Sequence, residues 1–364
     1  MKTESPTYSK IALNQSDFYR PNWTDKSRRD KNKLWLDKNE NSDPKMHALV
    51  KKALSEIEDF NLYSYPQSGE VYHKLAEHLN IAAENVVITA GSDGAIRSVF
   101  EAFINKGDRV LYTDPTFAMY SIYPKIYEAE SVTVPYEPSN IGPFLSVDHL
   151  VDKILSYTPK LVCLANPASP TGTILSPENL KIIIETAHAV NALILIDEAY
   201  YPFYSHTVLP WIDCYPYLIV TRSTAKAWGM AGFRIGFAVG SKPLIAALHK
   251  VKSMYETGTV AFAVLDKMLD YTDEIIASVS RLQAGKEYFI NELNKLDFET
   301  LKSYGNFMHV KFGSKSEIIH AALSDLVYYR QDFKQPCLKG YSRFSATTED
   351  RFKPIVNLIR TISQ

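Results

Sequence analysis

Between about residues 45 and 255 the chain alternates short, continuous apolar runs with longer stretches of helical spacing. This alternation restricts the fold more than any other feature of the sequence. Val86-Val87-Ile88-Thr89, Arg109-Val110-Leu111-Tyr112-Thr113, Leu161-Val162-Cys163-Leu164-Ala165, Leu193-Ile194-Leu195-Ile196 and Leu218-Ile219-Val220-Thr221 read as strands. A strand that is apolar on both faces has no side to turn to water, so it needs a cover above and below. Helical patterns lie between these runs, over Met46 to Ile57, from Gly94 through Phe103, from Ser176 to about Ala189, and from Pro243 to Ser253. Strands and helices in this order build an α/β fold on a central, mostly parallel or mixed sheet.

Beyond residue 255 the pattern changes. A long helical run extends from Val260 to about Leu296, and Gly305-Asn306-Phe307-Met308-His309-Val310 reads as the first central strand of a second, smaller α/β domain. The expected organisation is an arm over residues 1–44, packing with the small domain or a partner subunit. A large domain over 45–255 and a small C-terminal domain over 256–364 follow it. A chain of 364 residues is long enough for two such cores.

Charge and cysteine usage remove several functions. A net charge of −1 supplies no field for nucleic acid or an anionic membrane surface. No apolar run reaches the length of a bilayer span, and Met1-Lys2-Thr3-Glu4-Ser5-Pro6 lacks the apolar core of an export signal, so a cytoplasmic location is expected. Cys163, Cys214 and Cys337 stand apart with no C-x-x-C spacing, which argues for a reducing compartment and against a metal site.

The chemistry gathers where the apolar runs end. Gly91-Ser92-Asp93 follows the first run and opens a helix, so free backbone N–H groups and the positive helix end make an anion site; Ser92 or Asp93 as an ordinary N-cap is the plainer alternative. Asp197 closes the fourth run, where a carboxylate is costly unless paired. Lys226 follows the fifth run, within Ser223-Thr224-Ala225-Lys226-Ala227-Trp228-Gly229-Met230-Ala231-Gly232-Phe233-Arg234-Ile235-Gly236. A desolvated lysine loses its proton more easily and attacks carbonyls. Nearby glycines admit a ligand to the backbone, and Arg234 can fork onto a phosphate. A dinucleotide-binding fold is excluded, because no G-x-G-x-x-G follows the first strand with an acid about twenty residues on.

The Lys226 stretch resembles the cofactor-lysine signature of the class I/II (fold-type I) pyridoxal-phosphate aminotransferases, S-x-[ST]-K followed by G-x-A-G-x-R-x-G, with Ala225 where a Ser or Thr is common. Asn166-Pro167-Ala168-Ser169-Pro170-Thr171-Gly172 is similar to the family's N-P-N-x-P-T-G loop, and Leu36 to Asn41 to its L-x-x-N-E-N motif. The resemblance runs in family order from Asn39 to Arg343 and lies nearest the histidinol-phosphate aminotransferase branch. It implies pyridoxal 5′-phosphate as cofactor, with Lys226 carrying its aldehyde. Asp197 would meet the pyridine nitrogen and Tyr200 the phenolic oxygen, with Asn166 in place of the Asn absent at Ala168. Phe117 would lie flat on the ring, where stacking contributes about 0.5–1.5 kcal/mol beyond burial. Gly91, Ser92, Asp93, Ser223 and Arg234 would hold the phosphate. Tyr65, in Tyr65-Pro66-Gln67-Ser68-Gly69, matches a tyrosine that reaches the other subunit's cofactor, so a homodimer with shared sites is implied.

Near the C-terminus, Arg330-Gln331-Asp332 through Gly340-Tyr341-Ser342-Arg343-Phe344-Ser345 resembles the same branch's R-D-x(n)-G-x-x-R-I-S region. Arg343 and Arg330 are the implied anchors of a doubly anionic or phosphorylated substrate. Asn39 and Tyr120 complete the expected substrate set. The implied reaction transfers an amino group from an amino acid, glutamate foremost, to a small phosphorylated keto compound. A decarboxylase of O-phospho-serine or O-phospho-threonine type uses the same lysine and is the alternative.

Overall fold

The computed structural model describes Thr24, Lys26 and residues 29–363. The rest of the arm up to residue 28, Arg20 and Arg28 included, lies outside the described residues. The chain runs β1 (Leu34–Trp35), α1 (Pro44–Ser55), α2 (Gly69–Leu79), β2 (Val86–Thr89), α3 (Gly91–Phe103), β3 (Arg109–Asp114), α4 (Ala118–Ile126), β4 (Glu130–Pro135), α5 (Val147–Tyr157), β5 (Leu161–Ala165), α6 (Pro177–Ala189), β6 (Leu193–Asp197), β7 (Leu218–Ser223), β8 (Gly236–Gly240) and α7 (Lys242–Val251). It continues through α8 (Thr259–Leu269), α9 (Thr272–Asn294), β9 (Glu299–Leu301), β10 (Phe307–Lys311), α10 (Ser316–Leu323), β11 (Val327–Tyr328), β12 (Tyr341–Ser345) and α11 (Glu349–Ser363).

The large sheet has the order β2-β8-β7-β6-β5-β3-β4. Neighbours from β4 to β7 are parallel, and β8 is antiparallel to both β7 and β2. Four of the continuous apolar runs, β3, β5, β6 and β7, are interior strands, and the fifth, β2, lies at one edge. Alternate residues of each strand go to opposite faces, as the two-residue period of a strand demands. Val162, Leu164, Ile194, Ile196, Leu218 and Val220 fill one core, while Leu161, Cys163, Leu193, Leu195 and Ile219 fill a second on the other face. Each parallel strand therefore ends at the same edge of the sheet, and the polar residues that close β6 and β7 emerge side by side.

The small sheet is antiparallel, with order β12-β10-β9, and a two-stranded parallel pair joins β1 to β11. Phe289 of α9 and Phe352 of α11 stack at 4.3 Å and pack beneath it with Phe344. Two details differ from expectation. The run from Val260 to Leu296 is two helices rather than one. The Asp270 N–H closes α8 on the Lys267 and Met268 carbonyls, while its carboxylate is drawn 2.9 Å from Lys74 on α2. The short strand β9 also precedes β10, so β10 is central in space but second in sequence. Among the described residues no helix is long and apolar enough to cross a membrane.

Candidate active site

Asp197 is the last residue of β6 and stands in register with Thr221 on β7. Its Oδ1 accepts from the Thr221 hydroxyl at 3.0 Å and from the Ala199 N–H at 3.1 Å. Burial pushes the carboxyl up to about 6, against the lowering pull of those donors. A buried acid of this kind, at a sheet edge, favours a cationic partner. The next residue turns away: Glu198 accepts from Arg222 Nη2 at 2.9 Å and from the Val208 N–H at 2.8 Å, under Tyr201. That pair is closed on itself, and its charge adds to the rise at Asp197.

Tyr120, expected on the substrate, is fully enclosed on α4. Its hydroxyl faces Asp197 but completes no hydrogen bond among the described residues. With no surface open to a ligand, it belongs beneath the carboxylate. Phe117, at the start of α4, is half-buried and stands edge-on to Tyr120 at 5.8 Å.

The anion site forms where α3 meets β8. Gly91 adopts φ +79°, and a Cβ there would lie 2.9 Å from Arg234 Nη2. A Cβ on Gly236 would lie 2.5 Å from the Ser92 nitrogen. These two glycines let the guanidinium and the first turn of α3 close on one another, so a fixed cation and the positive helix end share one small space. Arg234 is exposed and leans on the Ala231 carbonyl at 3.5 Å, and Ser223 Oγ accepts from the Ala225 N–H at 3.1 Å. The Asp93 carboxylate is already engaged by the Tyr123 hydroxyl at 2.8 Å, so what it offers an anion is its backbone.

Lys226 lies between these groups. Its Nζ donates to the Lys38 carbonyl at 3.0 Å and sits 6.0 Å from the centroid of Tyr200. Loss of solvent lowers its pKa, Arg343 and Arg234 lower it further, and Tyr200 opposes them. The Tyr200 hydroxyl accepts from Asn39 Nδ2 at 2.9 Å.

The sequence did not foretell what the segment 37–43 does. It threads between the two sheets and presents successive carbonyls to the site. Asp37 O takes Arg343 Nη2 at 3.0 Å and Arg330 Nε at 3.4 Å. Lys38 O takes Lys226, and Asn39 O takes Asn306 Nδ2 at 2.9 Å. Asn39 has φ +57°, a left-handed conformation that asparagine tolerates, and its own amide bonds Ser345 Oγ at 2.8 Å. Asn39 is thus buried and joins the sheets through Tyr200, Asn306 and Ser345. The polar run Asn39-Glu40-Asn41 was the visible signal, but its partners Tyr200, Ala227 and Asn306 lie 161 to 267 residues away.

Arg343 on β12 is buried with its guanidinium 5.2 Å from the centre of Phe307, whereas Arg330 is exposed; their backbones pair directly. Asn166 is buried after β5, where its Oδ1 holds the Leu175 N–H at 2.8 Å and its own N–H binds the Asp197 carbonyl. Tyr65 stacks on Tyr255 at 4.4 Å with its ring 74% exposed, and no contact joins it to the cluster among the described residues.

Comparison with known proteins agrees with this geometry. The family model for aminotransferases of class I and II matches residues 31–359. A histidinol-phosphate aminotransferase of Caldanaerobacter subterraneus is 31% identical over 303 residues, covering 83% of this chain and 84% of that protein. The structure of a histidinol-phosphate aminotransferase from Sinorhizobium meliloti in complex with pyridoxal-5′-phosphate superposes with TM-score 0.78 at 19% identity, over 91% of this chain and 90% of that one. L-threonine-O-3-phosphate decarboxylase from Porphyromonas gingivalis superposes with TM-score 0.74 at 18% identity, over 90% and 98% of the two chains. At these identities the structural likeness is one of fold.

Proposed function

The chain belongs to the class I and II aminotransferases and is a pyridoxal-phosphate-dependent enzyme, and we propose that it moves an amino group between glutamate and a small phosphorylated keto compound. The observation that carries this reading is the position of Lys226. Its desolvated amine is held on the Lys38 carbonyl, among Tyr200, Arg234 and Arg343.

The residues present suit the cofactor. The cradle closed by Gly91, Gly236 and Arg234 takes a phosphate, and the enclosed Asp197 carboxyl, with its raised pKa, takes a protonated ring nitrogen. Lys226 would hold the cofactor covalently through Nζ, with Tyr200, Phe117, Asn166 and Ser223 along its rim. When bound, the cofactor supplies an electron sink for a bond broken at the substrate's α-carbon. The chain's own residues do the rest. Lys226 Nζ, its pKa lowered by burial, would accept the α-proton and return it, a role that needs an amine able to exist neutral. Asp197 keeps a positive charge opposite it, and Thr221 and Ala199 stop that carboxylate from turning. Arg343, fixed by the Asp37 carbonyl, meets a substrate carboxylate or phosphate, and Arg330 a second anionic group.

A homodimer would complete the site. Tyr65 stacks on Tyr255, and both are exposed together with Leu62, Tyr63 and Met254, their near neighbours in sequence. Tyr65 of the partner subunit would then reach the phosphate cradle. A cytoplasmic location accords with this reading.

The test is the absorbance of the purified protein with pyridoxal phosphate, before and after excess L-glutamate. Conversion to the amine form of the cofactor, reversed by a keto acid, supports the reading. A cofactor that binds but ignores glutamate and every other amino acid donor would overturn it, and carbon dioxide release from O-phospho-serine would replace it with the lyase.

A further inference from the structure

His309 lies at the centre of the small sheet and has no role in the reaction described above. It is fully buried, and among the described residues neither ring nitrogen completes a hydrogen bond of ordinary geometry. Its ring is edge-on to Phe307 at 5.6 Å and to Phe333 at 5.8 Å. An unpartnered buried imidazole costs about 1–3 kcal/mol, so its placement needs a reason.

The reason is across the strand. His309 on β10 is the register partner of Arg343 on β12. Directly opposed residues of an antiparallel pair project from the same face, about 4.5–5.5 Å apart at Cβ. Both side chains also meet the same two rings, Phe307 and Phe333. Arg343 has a matching deficit: its Nε is sealed from solvent and has no acceptor among the described residues. A ligand arriving from the site meets the outer nitrogens of the guanidinium, so Nε–H must find its acceptor inside the protein. The buried ring beside this cation stays neutral; burial first, and then Arg343, hold its pKa down to about 3. A neutral imidazole has one lone pair and one N–H. The lone pair suits Arg343 Nε–H. The N–H suits the Pro170 carbonyl, which faces the ring from the turn after β5.

From this juxtaposition we infer that His309 is a positioning residue for Arg343, accepting its Nε–H and donating to the Pro170 carbonyl. Arg343 is thereby fixed on two sides, by the Asp37 carbonyl and by His309, with its outer edge left for the substrate anion. The same ring ties the small sheet to the 166–172 turn of the large sheet. The functional part of this inference rests on the reading of Arg343 as the substrate's anchor.

The test uses the cofactor-loaded enzyme with two variants. His309→Leu fills the space without a lone pair, and His309→Gln restores an acceptor and a donor. His309→Leu is expected to raise KM for the anionic substrate about tenfold with kcat within about twofold, the cost of one hydrogen bond to a charged group. His309→Gln should recover most of that loss. In an Arg343→Ala background His309→Leu should change KM less than about twofold, since coupled residues are not additive. A second readout sees the contact without turnover: in 15N-arginine-labelled enzyme the Arg343 Nε–H should exchange with water slowly, and at least about tenfold faster in His309→Leu. Equal Nε–H exchange in wild type and His309→Leu, or a Gln variant no better than Leu, overturns the inference. If Arg343→Ala itself leaves KM unchanged, the anchor reading fails, and the exchange measurement still decides whether His309 holds Arg343. Should His309→Leu fail to fold, the wild-type rate decides the contact: an Arg343 Nε–H that exchanges as fast as those of exposed arginines overturns the inference.

Discussion

The two halves of the site are built differently. On the large sheet, the functional groups sit at or just after strand ends; Asp197 is held within that sheet, while Lys226 and Tyr200 also reach the 37–43 segment through Lys38 and Asn39. Asp197 is gripped by Ala199 two residues on and by Thr221 across one ladder rung. On the small sheet, Arg343 and Arg330 are held by the carbonyl of Asp37, about 300 residues earlier. The carboxylate of the first half is fixed by local sequence and sheet register. The second exists only once the 37–43 segment has been laid between the sheets. The difference teaches where function can be rigid: the residues proposed to carry the chemistry rest on a sheet buried on both faces, and those proposed to select the substrate rest on a joint.

Substitutions can break this contrast at either side, and their effects should fall in a definite order. Lys226→Ala should lower turnover by about a thousandfold or more, because the group that holds the cofactor and moves the proton is gone, while the folded protein remains. Near-normal turnover in steady-state assays would end the large-sheet account.

Asp197→Asn should lower turnover by about a hundredfold and weaken cofactor binding, and it should have a second, opposite consequence. The carboxyl binds its proton more tightly in the folded chain, at about 6, than at its ordinary value of 3.8. Its favourable contribution to cofactor-free stability is therefore full below pH 3.8 and lost as pH rises through about 6. Asp197→Asn should remove that slope, stabilising the cofactor-free protein at pH 8 by up to about 3 kcal/mol. Denaturant titrations at pH 4 and pH 8 that show the same difference at both would refute the charge argument.

Arg343→Ala should act on the other half alone. KM for the substrate rises about tenfold to a hundredfold while cofactor affinity stays within about twofold. Loss of cofactor affinity to the same degree would erase the distinction between the halves.

Asn39→Ala sharpens the comparison with the smallest effect. It removes the bonds to Tyr200 Oη and Ser345 Oγ, each worth about 0.5–1.5 kcal/mol. Stability should drop by about 1–3 kcal/mol, and KM should rise a few-fold with kcat nearly kept. A change confined to kcat would place Asn39 with the chemistry instead.

What the sequence shows follows the same divide. The large sheet was legible because each strand is a continuous apolar run with polar residues at its end, and a run such as Leu161 to Ala165 fits little but a covered parallel strand. Lys226, Asp197, Arg234 and Gly91 follow from those ends. Tyr120 was misplaced, because helical spacing gives no sign that its hydroxyl is enclosed beneath Asp197. The joints of Asn39, Asp37 and Lys38 were invisible for another reason: a backbone carbonyl has no sequence signature, and these meet partners 188 to 306 residues away. His309 was read only as part of an apolar strand, since its partner is set by register with β12.

The most direct test of the central claim is the site of covalent attachment. The protein is loaded with pyridoxal phosphate, reduced with borohydride, digested and mapped by mass spectrometry. The account predicts one stoichiometric pyridoxyl label, on Lys226, absent from Lys226→Ala. A label on another lysine with Lys226 unmodified, or no label above the level of surface lysines, would contradict it.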